Sequence, residues 1–105
     1  MTINYETFTC PVKNAVSLIG DKWTLFILRE LFYGKKKQGF NELQKTLKPI
    51  SSRTLSIKLK NLLASNIINK SIISEKPPKV EYFLTKKGLK LEPVLNELAK
   101  WYNND

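Results

Sequence analysis

The chain has 105 residues, 42% of them hydrophobic, which is enough for one core and too short for two ordinary domains, so residues 1–105 read as a single domain. Eighteen Lys and Arg against nine Asp and Glu leave it at +9, with no histidine and one cysteine, which excludes an internal disulfide framework, a Cys/His zinc cluster and any histidine-based triad or proton shuttle. No apolar run has the length of a membrane span, residues 1–11 lack both a charged and a hydrophobic signal region, and there is no Gly-rich phosphate loop or repeat; the expectation is a cytoplasmic protein with no enzymatic activity, metal, cofactor or membrane partner.

Pro11 suits the first position of a helix whose narrow apolar face, Val12, Ala15, Val16 and Ile19, stops at Gly20. Asp21 can cap the next helix, in which Trp23, Leu25, Phe26, Ile27, Leu28, Leu31 and Phe32 point nearly all round the axis before Gly34 ends it. A helix apolar on every side belongs at the centre of the core. Residues 35–39 read as a charged connection. Residues 41–47 then bury Leu43 and Leu47 in a short helix, and Pro49 disfavours helical geometry at Lys48.

Ser51 or Ser52 can cap the following helix, residues 51–66. Within it Leu55, Leu59, Leu62 and Leu63 make one stripe at helical spacing, while Arg53, Ile57, Lys60 and Asn61 point the other way. Two short helices joined by a proline turn, the second greasy on one face and basic on the other, are the layout of a helix-turn-helix that reads DNA. Charge agrees: residues 35–60 hold eight cations (Lys35, Lys36, Lys37, Lys45, Lys48, Arg53, Lys58, Lys60) against Glu42 alone, which is +7 of the total +9. Such a local excess attracts a polyanion and makes its binding salt-dependent.

After residue 66 the pattern changes to INKSII and VEYFLT, rich in β-branched and aromatic residues and separated by SEKPPK. This predicts two antiparallel strands with a proline-stiffened tip, a β-wing in which Lys76 and Lys79 can meet the phosphates of a neighbouring minor groove. Tyr82 and Phe83 alternate, so at most one of them can be exposed. Glu81 reads as a wing residue paired with a cation. A last helix is expected from a Thr85 cap to about residue 103, kinked at Pro93, with Leu91, Val94, Leu95, Leu98, Trp101 and Tyr102 on one face. That face is wider than a small winged core can cover, so dimerisation is its natural outlet, the alternative being that it folds back on its own domain.

The residues therefore predict a mainly α protein with a small β-wing (α+β), a winged helix-turn-helix whose last helix is the candidate for dimerisation. The function they predict is a homodimeric, sequence-specific regulator of transcription on double-stranded, palindromic DNA, with residues 51–66 in the major groove and residues 74–80 near the minor groove. The expected DNA-facing set is Lys37, Asn41, Ser51, Ser52, Arg53, Thr54, Ser56, Ile57, Lys60, Lys76 and Lys79; the expected dimer set on the last helix is Leu91, Val94, Leu95, Leu98, Trp101 and Tyr102. The alternative from another class is a winged-helix module for protein assembly or RNA binding without operator specificity.

Four segments, CPVKNAVSLIGDKWTLFILREL (residues 10–31), FNEL (40–43), ISSRTLSIKLKNL (50–62) and PPKVEYFLTKKG (77–88), in this order resemble the HxlR-type winged-helix transcriptional regulators, the DUF24 group of MarR-like proteins. The resemblance covers nearly the whole chain. It implies a homodimeric DNA-binding repressor or activator whose recognition helix corresponds to residues 51–60, whose wing corresponds to residues 74–80, and whose dimer surface corresponds to the first and last helices, N- and C-terminal dimerisation helices that bring Val12 and Val16 into the expected dimer set. Two positions depart from the family's pattern. Ile57 stands where members usually carry a polar residue such as Gln, and Ser52 stands where Pro is frequent, leaving a hydroxyl for a phosphate or a cap. Some members sense oxidants or electrophiles through the cysteine of the Cys-Pro start, which implies a redox role for Cys10; the alternative is that Cys10 is a small buried hydrophobe. No effector ligand can be assigned from the residues.

Overall fold

The computed structural model describes residues 2–104. Helix α1, Pro11–Ile19, starts at its proline, and Gly20 closes it by donating its N–H to Val16 O at 2.7 Å. None of its residues is buried. Helix α2, Lys22–Tyr33, is capped by Asp21 and ends at Gly34, and it runs through the core with Thr24, Ile27, Leu28, Leu31 and Phe32 buried.

The connection expected at residues 35–39 is in part a strand. β1, Gln38–Gly39, pairs antiparallel with β3, Pro78–Leu84, through Gln38 opposite Tyr82 and Gly39 opposite Glu81. Gln38 is buried, and its amide donates to Glu30 O at 3.1 Å and Lys35 O at 2.8 Å. A strand of two residues has no periodicity to read; it exists only because its partner arrives from far along the chain.

Helix α3, Phe40–Thr46, follows directly, its start braced by Glu42, which accepts from Gly39 N at 3.1 Å. A tight turn, with Ile50 N donating to Leu47 O at 3.0 Å, leads to α4, Ser52–Ala64, whose N-cap is Ser51. Asn66, at φ 61°, takes the left-handed conformation that turns the chain into β2, Ile68–Glu75; asparagine tolerates this better than most residues. β2 pairs antiparallel with β3, with an irregularity between Ile72 and Ser74, and the sheet order is β1-β3-β2. Ile27, Leu28, Leu31, Leu43, Leu55, Leu59, Leu62 and Ile68 are fully buried at the junction of α2, α3, α4 and the sheet.

The single kinked helix expected after Thr85 is two helices. Thr85 does act as a cap, accepting from Gly88 N at 3.0 Å, but α5 spans only Lys86–Leu89, and α6 begins afresh as Glu92–Asn104. Between them Lys90 N donates to Lys87 O and Leu91 N to Gly88 O, tight bonds that close α5. Pro93 then occupies the second position of α6, where a helix start leaves its N–H groups without intrahelical partners and a missing donor costs nothing. The proline opens a helix where a kink was expected.

Candidate nucleic-acid interface

The interface is built on α4 from its cap outward. Ser51 Oγ accepts from Thr54 N at 3.0 Å and sits 3.0 Å from Thr54 Oγ1, so both hydroxyls serve the start of the helix. Ser52 Oγ accepts from Gln44 Nε2 at 2.8 Å, which ties the positioning helix α3 to the first turn of α4. Leu55, Leu59 and Leu62 are at most 2% exposed and clamp one side of α4 into the core, with Leu63 half-buried beside them. On the other side Arg53, Ser56, Ile57, Lys60 and Asn61 are exposed, as the helical spacing requires.

Lys58, counted above only as a charge, has a structural task. It is half-buried, and its Nζ lies 3.3 Å from Asp21 Oδ2, joining the middle of α4 to the N-cap of α2. Asp21 also accepts from Thr24 N at 3.1 Å and from Thr24 Oγ1 at 2.6 Å. Burial alone would raise the Asp21 pKa, but the Thr24 hydrogen bonds and Lys58 together hold it below its ordinary value. Gln44 and Lys58 were missed because their partners, Ser52 and Asp21, lie on other elements, and no local pattern marks such pairs.

On the wing, Lys76 and Lys79 are exposed. Lys79 and Asn41 line one cleft of about 810 Å³ between the start of α3 and the proline tip, so the structure brings the helix-turn-helix and the wing together around a shared opening. Glu42 borders the same cleft; Gly39 N–H and Lys35, whose Nζ is 3.2 Å away, keep its carboxyl below the usual range. Lys37 is exposed with its Nζ 5.3 Å from the centre of the Phe83 ring, a cation–π contact at the base of the wing. Tyr82 and Phe83 are both half-buried, and burial pushes the Tyr82 phenol above its usual pKa. Glu81, expected to pair with a cation, makes no ion pair among the described residues.

The dimer set divides. Leu91 and Leu95 are half-buried against their own core, whereas Val12, Val16, Val94, Leu98, Trp101 (69% exposed) and Tyr102 (78% exposed) are open to solvent. Cys10 lies in the N-cap position of α1, 2% exposed, and its side chain makes no capping bond. Among the described residues no group of His, Cys, Asp or Glu could hold a metal ion, and no helix is long and apolar enough to cross a membrane.

A helix-turn-helix followed by a two-stranded wing, with the exposed side of its second helix polar and basic apart from Ile57, defines a winged helix-turn-helix protein of the DNA-binding kind. Residues 18–105 match the HxlR-like helix-turn-helix family, and the chain belongs to it. It is 40% identical over 91 residues to the HTH-type transcriptional regulator sll1512 of Synechocystis sp., an alignment that takes in 87% of this chain and 66% of that protein, just under two thirds of its length. Among solved structures it is similar to the HTH-type transcriptional regulator ytcD, with a TM-score of 0.84, 34% identity and coverage of 91% of this chain and 96% of that one. It is also similar to the redox regulator HypR in its oxidised form, with a TM-score of 0.80, 33% identity and coverage of 91% and 97%. The family is one of transcriptional regulators that bind DNA, not of enzymes.

Proposed function

We propose that this chain acts as a homodimer on a palindromic operator, with α4 in the major groove and the wing tip against the adjacent minor groove. The observation that carries this reading is the division of α4 between a buried leucine side and an exposed side holding Arg53, Ser56, Ile57, Lys60 and Asn61. Arg53 is assigned to base edges near the start of the helix, where side chains reach the groove floor; Lys60, Lys76 and Lys79 are assigned to phosphates. Lys37, exposed at the base of the wing, extends the same basic surface, and Asn41, exposed at the cleft, adds a neutral amide that can donate to a phosphate. Ser51, Ser52 and Thr54 fix the first turn, and the Ser52 hydroxyl, which only accepts from Gln44, keeps its own proton for a phosphate.

Dimerisation is assigned to α1 and α6, since Val12, Val16, Val94, Leu98, Trp101 and Tyr102 are large apolar groups left in water by the isolated chain. Two-fold symmetry would set the two recognition helices about 34 Å apart, or a multiple of that, along the duplex. Selection of bound duplexes from random DNA followed by footprinting tests the reading; paired protected half-sites at that spacing support it, and a single unpaired footprint rejects the dimer.

Cys10 is the candidate thiol switch, by likeness to the redox regulator among the neighbours. Cys10 is buried, so a reagent reaches its thiol only when the structure around the start of α1 opens. Diamide should release DNA from the wild type but not from Cys10→Ser; release by both would remove Cys10 from the mechanism. Binding of single-stranded RNA by base stacking finds no support in the wing, where both aromatic rings are half-buried.

A further inference from the structure

Ile57 is an apolar residue at the place on α4 where apolarity serves the fold least. At about 100° per residue, it lies about 160° round the axis from Leu55 and Leu59, so it stands on the crest of the helix, as far from the core as α4 allows. It is 45% exposed. Its neighbours one turn away are Arg53, Thr54, Lys60 and Asn61, all polar or charged, so along α4 it joins no other exposed apolar side chain. A lone exposed isoleucine is ordinary on most surfaces, but this one occupies the centre of the face that the proposed function lays in the major groove.

The groove floor narrows what such a residue can accept. Guanine offers two acceptors, adenine an acceptor and a donor, cytosine a donor, and thymine an acceptor beside its C5 methyl. Isoleucine can neither donate nor accept, so seating it on the polar edges would strip their water without replacing the hydrogen bonds. The thymine methyl is the one group there that gains from contact with it. We infer that Ile57 is a specificity-determining residue that selects a thymine in each half-site by packing on its C5 methyl. This rests on the DNA-binding reading of α4 and adds to it the base chemistry that the crest of the helix recognises.

The test uses the full chain and a duplex selected from a random pool, remade with deoxyuridine in place of each thymidine in turn, which removes the methyl and nothing else. The wild type should show one thymine per half-site whose replacement weakens binding about fourfold, the equivalent of one buried methyl, and about fifteenfold when both half-sites are changed. Ile57→Ala should bind the thymidine and deoxyuridine duplexes equally, and Ile57→Val should retain a reduced difference. Circular dichroism of each variant separates loss of contact from loss of fold. The inference is overturned if no thymine in the selected site responds, or if Ile57→Ala keeps the full penalty. If the wild type enriches no sequence at all, the DNA-binding reading itself has failed and this inference falls with it.

Discussion

Replacing Asp21 by alanine should destabilise the domain far more than a surface carboxylate normally would. The side chain does three things at once: it caps α2 through Thr24 N, it accepts the hydroxyl of Thr24, which is buried, and it pairs with Lys58 on α4. Loss of an N-cap costs about 1 kcal/mol. Stripping the acceptor from a buried hydroxyl costs about 1–3 kcal/mol, and the partly exposed ion pair adds about 0.5 kcal/mol. Together these amount to about 3 kcal/mol, roughly 10–20 °C in Tm for a chain of this size. Asp21→Asn keeps a capping oxygen and loses only the charge, so it should cost about 1 kcal/mol or less. Urea unfolding followed by far-ultraviolet circular dichroism at one fixed protein concentration reads both, the concentration being held because the proposed dimer would contribute to apparent stability. The pH dependence gives a second check. Because the folded Asp21 pKa lies below its unfolded value, its stabilisation is present above about pH 4 and is lost as pH falls through the folded pKa. The advantage of the wild type over Asp21→Asn should therefore shrink in acid. An alanine variant that loses less than about 1 kcal/mol, or a wild-type advantage unchanged in acid, would refute the reasoning.

Arg53→Ala should weaken operator binding by about 1–3 kcal/mol and relax base preference near its contact; an unchanged titration would remove Arg53 from the base-reading set. Lys79→Ala should weaken binding to all duplexes alike and lower the salt slope by about one unit, whereas an altered base preference would contradict a phosphate contact. Leu98→Asp puts a charge on the exposed face of α6, so sedimentation should report a monomer with unchanged helicity; a persistent dimer would place the interface elsewhere. Gly88→Ala would drive a methyl group into the carbonyl oxygen of Ile67, backbone that cannot easily move, so a loss of about 2–4 kcal/mol is expected, and a fully stable variant would show that α5 can shift away.

The amino-acid order by itself determined the helices of the N-terminal half and the division of α4, because those signals are local. Pro11, Gly20, Asp21, Gly34 and Ser51 act on backbone groups within one turn, and the leucine spacing of α4 marks its buried side wherever the rest of the chain lies. The wing was legible for the same reason, from two β-rich runs either side of a proline pair. Tertiary structure alone decided what depends on distant partners. β1 is two residues that become a strand only beside β3. Gln44 and Lys58 gain their roles from Ser52 and Asp21 across helix contacts. Pro93 was visible as a helix irregularity, but whether it would kink one helix or begin another depended on where α5 is stopped, and the bonds from Lys90 N to Lys87 O and from Leu91 N to Gly88 O close it two residues before Pro93. Periodicity told which residues of the last helix share a face; only the packed core decided that Leu91 and Leu95 lean on it while Leu98, Trp101 and Tyr102 stay in water, since burial depends on what the rest of the fold can reach.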